Sequence, residues 1–259
     1  MNIGDQAYEI VRSFSGMGIH RTGTRGDRDT SRWLGSELAV LGADVSFKTF
    51  PYHHFDAELS VEIAGESFQV DALYYSFTGQ RNLRNPAIGI VDAHADEAVI
   101  SRDICGMVAT SKADSHDGLV LATHCPTGDL CAINREHGMD LDFPVVLVAE
   151  DNLNAIQNIS ADIFFKGSVR KGIAKNIIAR FPGPIGARRV VVTTPISGWF
   201  RCAGERGCGL AVAIFLSKRL LKSFAVDLLL TSGHELGSRG GYFLAESYNT
   251  EPECVIHLG

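Results

Sequence analysis

The stretch from Leu228 to Gly241 reads LLLTSGHELGSRGG and joins an apolar run to a glycine-rich turn. Such a run is typical of a strand that is buried on both faces, as in a parallel sheet flanked by helices. His234 and Glu235 follow directly where this strand ends. Ligands of open α/β sheets bind just outside the carboxyl ends of the strands. The stretch therefore predicts an α/β fold with His234 and Glu235 beside a crevice.

The sequence on both sides of this stretch alternates between strand and helix patterns. The segments are RRVVVTTPI, then GCGLAVAIFLSKRLLK as a helix (207–222), AVDLLLTS, SRGGYFLAESY as a short helix, and ECVIHLG. This alternation predicts right-handed crossovers and a largely parallel sheet. The segments TPISGWFRCAGERG, SGHELG and IHLG then follow the carboxyl ends of three strands, and we expect them to meet at one crevice.

The middle of the chain has a different pattern. Short strands dominate there, among them ELSVEI, AIGIVDA, GMVAT, GLVLAT, FPVVLVA and ADIFF, and turns rich in Gly, Asn and Asp separate them. Helices are predicted before it at 5–15 and 27–41, with a strand at 43–50 that Pro51 ends. The sequence thus predicts a discontinuous α/β domain, 1–54 with 171–259, and a β-rich insert, 55–170.

Composition restricts the class of protein. The 259 residues carry a net charge of −6, so no basic surface indicates a nucleic-acid partner. The start MNIGDQAYEIVRSF lacks the basic and apolar regions of a signal peptide, and no apolar run reaches the roughly 18 residues of a membrane helix. We expect a cytoplasmic protein without a membrane partner. Its six cysteines form no Cys-x-x-Cys pair and are expected to be buried small hydrophobes.

Three residues are candidates for catalysis: His234, Glu205 and Glu235. A histidine at a strand end can act as base, acid or metal ligand. Glu205 lies in the turn CAGERGCG (202–209) before a helix, where a carboxylate suits a cation or a proton. The alternatives are that Glu205 pairs with Arg206 and that Glu235 caps a helix start.

Further polar and aromatic residues near the strand ends are candidates for ligand binding. The Cys202 thiol can be activated by the helix N-terminus, or it can be a buried structural cysteine. Ser197 lacks the G-x-S-x-G surroundings of a serine-hydrolase nucleophile, and Trp199 either lines a pocket or packs in the core. The candidate binding residues are Ser197, Trp199, Cys202, Arg206 and His257.

Five segments carry a likeness to a known family: RTGTRGDRDTSRWLGSELAVLGADVSFKTF, AKNIIARFPG, GERGCGLAVAIFLSKRL, SGHELGSRGG and ECVIHLG. They resemble, in this order, the Arg-x-x-Gly-Thr segment, the NVIA-x-x-x-G strand, the DDNASG turn, the EE-x-GL-x-GS turn and the NLD strand of the di-zinc aminopeptidases. That family is related to glutamate carboxypeptidase, glutaminyl cyclase and the transferrin receptor ectodomain. The resemblance implies a three-layer αβα sheet of the zinc-exopeptidase type, C-terminally incomplete, with an insert similar to a protease-associated domain.

The resemblance also implies that most of the family's metal ligands are replaced. The His-x-Asp ligand pair falls on Pro195 and Ser197, and the Asp after the last strand falls on Gly259. Neither proline nor glycine offers a ligand atom on its side chain. A catalytic zinc ordinarily takes three protein ligands, so the resemblance predicts a site without zinc.

Three positions of the family's site keep a polar side chain. The bridging Asp falls on Glu205, the general base on His234, and a second Glu that binds zinc on Glu235. No cofactor is expected, and Glu205 with Glu235 would hold zinc if any binds.

Three functions follow. The first is a hydrolase of peptides or small amides with a remodelled, zinc-free site. In this hypothesis His234 is the general base, Glu205 or Glu235 orients it, and Cys202 serves as the nucleophile. The second is a non-catalytic pseudo-peptidase that uses the crevice for binding. The third is a zinc hydrolase with an atypical ligand set drawn from Glu205, Glu235, His234, His257 and the cysteines.

The apolar strand ECVIHLG leads to a prediction about partners. An uncovered strand of this kind is a site of association that proteins usually pair or cover. We expect either a longer product or an oligomer or covering partner chain near Val255–Leu258.

Overall fold

The computed structural model describes residues 2–63, 66, 67, 69–126, 128, 130, 131, 133, 135, 138, 141–158 and 162–259. They form two compact units. The discontinuous unit comprises Met1–Tyr52 and Lys171–Gly259, and the inserted unit comprises His53–Arg170. The sequence-based boundaries lie after residues 54 and 170.

In chain order the elements are α1 (Ile3–Gly16), α2 (Arg25–Val40), β1 (Asp44–Ile63), β2 (Glu66–Ser67), β3 (Val70–Ala72), β4 (Gly79–Leu83), β5 (Ala87–Asp92), α3 (Glu97–Ala113), β6 (Leu119–His124), β7 (Val145–Ala149), α4 (Leu153–Asn158), β8 (Asp162–Phe181), β9 (Arg189–Pro195), α5 (Cys208–Leu220), β10 (Ala225–Thr231), α6 (Arg239–Ser247) and β11 (Cys254–His257). The chain passes between the units within β1 and within β8. In the described ranges, none of the helices combines the length and the apolar character that a bilayer crossing requires.

The sheet of the discontinuous unit is mixed. Strand β9 lies between β11 and β10 and is parallel to both, whereas β10 pairs with β8 in antiparallel fashion. The prediction of a largely parallel sheet is therefore correct for three strands and wrong for β8, because an apolar run does not encode strand direction. Thr231 pairs with Pro195 and His257 with Thr193. The carboxyl ends of β9, β10 and β11 thus lie at one edge, as expected.

Helices cover both faces of this sheet. Helices α1, α2 and α5 bury one face through a core that includes Phe14, Leu34, Leu38, Ile177, Val192, Leu210, Ile214 and Leu228. On the other face, Leu244 of α6 packs against Ile178, Val191 and Leu229. The unit is a three-layer αβα structure, as the sequence predicted.

The inserted unit has its own sheet, with the strand order β3–β7–β6–β5. Strands β5, β6 and β7 are parallel, and β3 is antiparallel to β7. The strand predicted at GMVAT is wrong, because this segment lies inside helix α3. Ile100, Ile104 and Val108 are buried along that helix, a spacing of four residues that five residues alone do not reveal.

Two further expectations are corrected by the structure. Strand β1 continues through Pro51, because the φ angle of proline suits an extended chain and only one N–H donor is lost. The cysteines are not a set of buried hydrophobes: Cys125 and Cys131 form a disulfide. The remaining four are free thiols, of which Cys202 is half-buried and the other three are exposed.

Candidate functional site

The site is built on the turn that follows β10. Gly233 (φ 78°) and Gly237 (φ 68°) flank a short 3-10 turn, His234–Leu236. Both glycines have a left-handed backbone conformation that other residues adopt only at a cost. The turn directs the Glu235 side chain inward, where the residue is 8% exposed.

The Glu235 carboxylate joins three segments of the chain. Its Oε1 accepts a hydrogen bond from the Thr22 N–H at 2.6 Å, and its Oε2 accepts one from the Ser197 hydroxyl at 2.7 Å. Thr22 lies in the loop between α1 and α2, and Ser197 follows β9. Helix α6 has no side-chain cap in the described part of the chain, so Glu235 does not have the capping role considered above. Glu235 acts as an internal cross-link.

Ser197 connects several parts of this cross-link. The residue is 0% exposed. Its hydroxyl donates to Glu235 and accepts from the His234 N–H at 3.1 Å. Its carbonyl oxygen accepts a hydrogen bond from Nε of Arg206 at 3.0 Å. The hydroxyl and the carbonyl oxygen of Ser197 are therefore engaged in hydrogen bonds within the protein.

Arg206 and Glu205 extend the network toward the surface. A π-helical turn, Ala203–Gly207, precedes α5 and carries both residues. Arg206 is 4% exposed, and its Nη2 lies 2.6 Å from Oε1 of Glu205, whose side chain is half exposed. The two charges neutralise each other, which matches the alternative that Glu205 pairs with its neighbour.

Cys202 opens this turn in a left-handed conformation, with φ at 48°. For a residue other than glycine that conformation costs about 1 kcal/mol. Burial raises the pKa of the Cys202 thiol to about 11, and the nearby Glu205 carboxylate adds to the rise. The thiol is thus protonated at neutral pH, whereas a nucleophilic cysteine needs the thiolate.

His234 and His257 both line a cavity of about 510 Å³ on the α6 face of the sheet. Desolvation lowers the pKa of His234, and the positive charge of Arg206 lowers it further. His234 is therefore neutral at physiological pH. The volume of the cavity is in the range of small-molecule sites.

The walls of this cavity are mostly apolar, with hydroxyl groups among them. Strands β9, β10 and β11 supply one wall, and α6 with the segment after it supplies the other. Typical lining residues are Val191, Thr193, Thr231, Leu244, Tyr248 and Val255. The strand residues Val191, Thr193 and Thr231 were not predicted as lining residues, although their alternation along β9 and β10 places them on one face.

Asp27 carries a second buried carboxyl group, in the same hydrogen-bond network as Glu235. Asp27 accepts hydrogen bonds from the Ser232 hydroxyl at 3.1 Å and from the Gly23 N–H at 2.8 Å. The hydroxyls of Ser232 and Thr22 are 3.3 Å apart, which connects Asp27 to Glu235. Burial raises the pKa of Asp27 to about 7 against the effect of the Gly23 hydrogen bond, and the Glu235 charge adds to the rise.

This part of the network was not predicted. Asp27 is in the first turn of α2, where an acidic residue is common for the sake of the helix dipole. Its sequence context therefore does not distinguish it from an exposed capping residue.

In the structure, Arg206 and Ser197 connect the three predicted catalytic residues, Glu205, His234 and Glu235. Among the described residues, no hydrogen bond joins the side chains of Glu205, His234 and Glu235 directly. The path runs from Glu205 to Arg206, then to Ser197 and on to Glu235. Trp199 is half-buried in the segment that carries Ser197.

The donor set does not fit the zinc site that the resemblance implies. Pro195 and Gly259 carry no ligand atom, and the lone pairs of Glu235 that point inward are used by Thr22 and Ser197. Across the residues that the structure describes, no group of three or more His, Cys, Asp or Glu side chains is arranged to hold a metal ion.

Comparison with solved structures identifies the fold. The zinc aminopeptidase BSAP from Bacillus subtilis is similar with a TM-score of 0.72 and 16% identity, over 94% of this chain and 64% of its own. A peptidase M28 precursor from Shewanella amazonensis has a TM-score of 0.66 and 18% identity, over 93% of this chain and 66% of its own. An aminopeptidase from Aneurinibacillus sp. strain AM-1 has a TM-score of 0.58 and 16% identity, over 95% and 66% of the two chains.

No protein-family model and no curated protein matches the sequence. This chain spans 64% of the length of BSAP. At these identities the likeness concerns the path of the chain and leaves the chemistry to the site itself. The chain has the mixed α/β fold of the zinc aminopeptidases.

Proposed function

We propose that this chain is a non-catalytic relative of the peptidases that binds a small peptide or amide-like ligand in the cavity beside His234 and His257. The observation that carries this proposal is the bonding of Glu235. Its carboxylate is buried and accepts hydrogen bonds from Thr22 and Ser197. The residue that the resemblance implies as a metal ligand is here part of the internal framework.

The remaining candidates for acid–base and nucleophilic chemistry support the same proposal. A general base must reach the proton that it removes, but the Glu205 carboxylate is paired with Arg206. A nucleophile needs an ionised or activated group, but the Cys202 thiol has a pKa of about 11. We assign Ser197 to holding Glu235 and not to contacting a ligand.

The chemistry of the cavity favours an uncharged, partly apolar ligand. Leucine and valine side chains can cover an apolar group, and the hydroxyls of Thr193 and Thr231 can donate to or accept from an amide. His234 is neutral, so its ring both donates and accepts a hydrogen bond. A hydrophobic amino acid amide or a short peptide presents both kinds of surface.

One observation favours a zinc-free hydrolase as the second candidate. The lowered pKa of His234 leaves its imidazole unprotonated and able to accept a proton at neutral pH. In that case the bound amide would be cleaved slowly, and His234→Gln would abolish cleavage while binding remains.

A cavity-filling variant tests the proposal. A Cβ atom added at Gly241, which lines the cavity, would meet nothing within 4 Å, so Gly241→Leu should fill the space without distorting α6. Gly16, the last residue of α1, also has open space around it, which makes Gly16→Leu the matched control.

Calorimetric titration with N-acetyl-leucine amide and a set of hydrophobic dipeptides with blocked termini, all of them uncharged, is the measurement. We expect binding to the native protein and to Gly16→Leu, and a loss of at least about tenfold in affinity for Gly241→Leu, since 1.4 kcal/mol corresponds to a factor of ten. Equal affinity in the two variants would place the ligand elsewhere. Chromatography of the ligand after incubation separates binding from hydrolysis.

Two finer proposals accompany this one. The position of the inserted unit within the sequence and its separate sheet support a protease-associated-like insert. A cytoplasmic location stays the expectation from the sequence.

A further inference from the structure

The inserted unit contains a second cluster of reactive side chains, independent of the cavity. It lies at the carboxyl ends of β5 and β6, which are parallel neighbours with Asp92 opposite His124. Cys125 follows β6 directly, and His94 follows β5 by two residues. Cys131 completes the cluster through its disulfide with Cys125. In parallel sheets this edge is where ligands and reacting groups gather.

The cluster is held in place by several hydrogen bonds. The Cys131 N–H donates to the hydroxyl of Thr123 at 3.2 Å, and Thr123 is 0% exposed. The Gly128 N–H donates to the Cys125 carbonyl oxygen at 2.9 Å. The His94 N–H donates to Oδ1 of Asp92 at 2.9 Å. Both sulfur atoms are therefore attached to fixed backbone positions.

The surroundings of the two sulfur atoms differ. Nε2 of His94 lies 4.0 Å from Sγ of Cys125. The neighbouring His124 is hydrogen-bonded to Glu150, and this carboxylate raises the pKa of its imidazole. His94 is the imidazole that faces Cys125. An imidazole N–H that donates to sulfur stabilises a thiolate, so Cys125 is the better leaving group of the pair.

Accessibility and loop length favour exchange over a purely structural role. Cys125 and Cys131 are both half-buried, so an attacking thiol can reach them. They are separated by 6 positions, and a disulfide that closes so short a loop restrains the unfolded chain less than one that closes a long loop. A structural role alone leaves the contact with His94 unexplained.

We propose that Cys125 and Cys131 form a redox-active pair whose substrate is a dithiol reductant, with His94 stabilising the departing Cys125 thiolate. The reductant's first thiolate attacks Sγ of Cys131, a mixed disulfide forms, and the Cys125–Cys131 bond breaks. Cys125 leaves as a thiolate beside His94. The second thiolate of the reductant then attacks its own sulfur in the mixed disulfide, and Cys131 leaves and takes a proton. The dithiol becomes a disulfide, and the protein disulfide becomes two thiols.

Tryptic peptides can report the redox state of Cys125 and Cys131 separately from that of the other cysteines. Trypsin cuts after Lys112 and Arg135, so one peptide carries Cys125 and Cys131 and no other cysteine. The preceding peptide, 103–112, carries the exposed free thiol of Cys105 and reports on labelling efficiency. The folded protein is treated with millimolar dithiothreitol for increasing times, alkylated and analysed by mass spectrometry.

We expect the Cys125–Cys131 peptide to gain two labels within minutes in the folded protein and to lose them again after treatment with oxidised dithiothreitol. His94→Gln should slow reduction by about threefold or more at neutral pH, because the rate depends on the stability of the leaving thiolate. His116→Gln, at the opposite end of β6, is the control and should react like the native protein. The equilibrium with dithiothreitol should also shift toward the disulfide in His94→Gln, because loss of the imidazole destabilises the Cys125 thiolate. A merely structural histidine would leave this equilibrium unchanged.

Three results would overturn the proposal. The first is a pair that opens only in denaturant, which would make it a structural disulfide. The second is a pair that never forms under oxidising conditions. The third is a His94→Gln variant, folded by circular dichroism, whose reduction rate and equilibrium with dithiothreitol equal those of the native protein.

Discussion

At the scale of single residues, Glu235 and Asp27 are two carboxyl groups in one buried network that are bonded in different ways. Glu235 accepts hydrogen bonds from a backbone N–H and a hydroxyl at 2.6 and 2.7 Å. Asp27 accepts longer hydrogen bonds, and its pKa is raised to about 7 mainly by burial. The shorter hydrogen bonds are those of Glu235, which hold three segments of the chain together.

Ser197→Ala tests that cross-link. The substitution removes the donor to Oε2 of Glu235 and the acceptor of the His234 N–H. Leaving buried groups unpaired should lower the free energy of unfolding by about 1–3 kcal/mol. Urea denaturation followed by circular dichroism measures it. Ser36→Ala, which removes an exposed hydroxyl bonded to the Arg32 carbonyl, is the control and should change stability by less than about 0.5 kcal/mol.

The raised pKa of Asp27 predicts a pH dependence of stability. The pKa rises from 3.8 to about 7 on folding, so the folded protein holds a proton that the unfolded chain releases between these values. This contribution to stability is fully present below about pH 4, decreases as the pH rises, and is lost above about pH 7. Asp27→Asn cannot titrate, and it should gain stability relative to the native protein by an amount on the order of a few kcal/mol between those limits. Parallel stability profiles for both proteins would refute the prediction.

Asp27 also illustrates which residues of the site cannot be predicted from the sequence. The position of His234 and Glu235 at a strand end could be inferred, because they follow a recognisable buried strand. The partners of Glu235 could not, because Thr22 and Ser197 are 213 and 38 positions away along the chain. Only the folded structure brings these three residues together.

At the scale of elements, α6 depends on a close approach to β10 and β8 through Gly240. A Cβ atom on Gly240 would lie 2.0 Å from the Ser232 carbonyl oxygen and 2.7 Å from Oδ1 of Asn176. Nδ2 of Asn176 donates to the Gly240 carbonyl at 2.8 Å, which fixes the start of the helix. In the glycine-rich turn of the sequence, Gly240 is thus required by the close packing of α6.

Two adjacent glycines provide a matched test of this contact. Gly240→Ala should destabilise the protein by about 1–3 kcal/mol through overpacking. Gly241→Ala should be neutral or stabilise it by up to about 1 kcal/mol, because its Cβ meets nothing within 4 Å and alanine favours a helix. Thermal unfolding of both variants measures the difference. Equal melting temperatures would show that α6 does not pack as closely as described.

The elements themselves were predicted unevenly. The strands at 189–195 and 225–231 and the helix at 208–220 were recognised because each contains an apolar run, short in the strands and longer in the helix. The direction of β8 and the helix at GMVAT were not, because strand direction and a five-residue apolar segment leave no such signal. Sequence patterns thus predict the type of a secondary-structure element better than the direction in which strands pair.

At the scale of the whole molecule, the discontinuous unit exposes one edge strand. In the described part of the sheet β11 pairs with β9 on one side, and Val255 is 59% exposed. Association near Val255–Leu258 stays a prediction. Light scattering after gel filtration should show an assembly larger than one chain, and Val255→Lys should reduce it, because a lysine on an edge strand opposes pairing. A native protein that elutes as a monomer at all concentrations would contradict it.

We propose that Glu235, which lies at a metal-ligand position of the family that the chain resembles, belongs instead to an internal hydrogen-bonded network. Elemental analysis of the mildly purified protein, with and without added zinc followed by dialysis, tests it most directly. We predict far less than one zinc per chain, with no change in Glu235→Gln, because Pro195, Ser197 and Gly259 replace ligands and Glu235 is bonded internally. About one zinc or more per chain that is lost in Glu235→Gln would contradict the account.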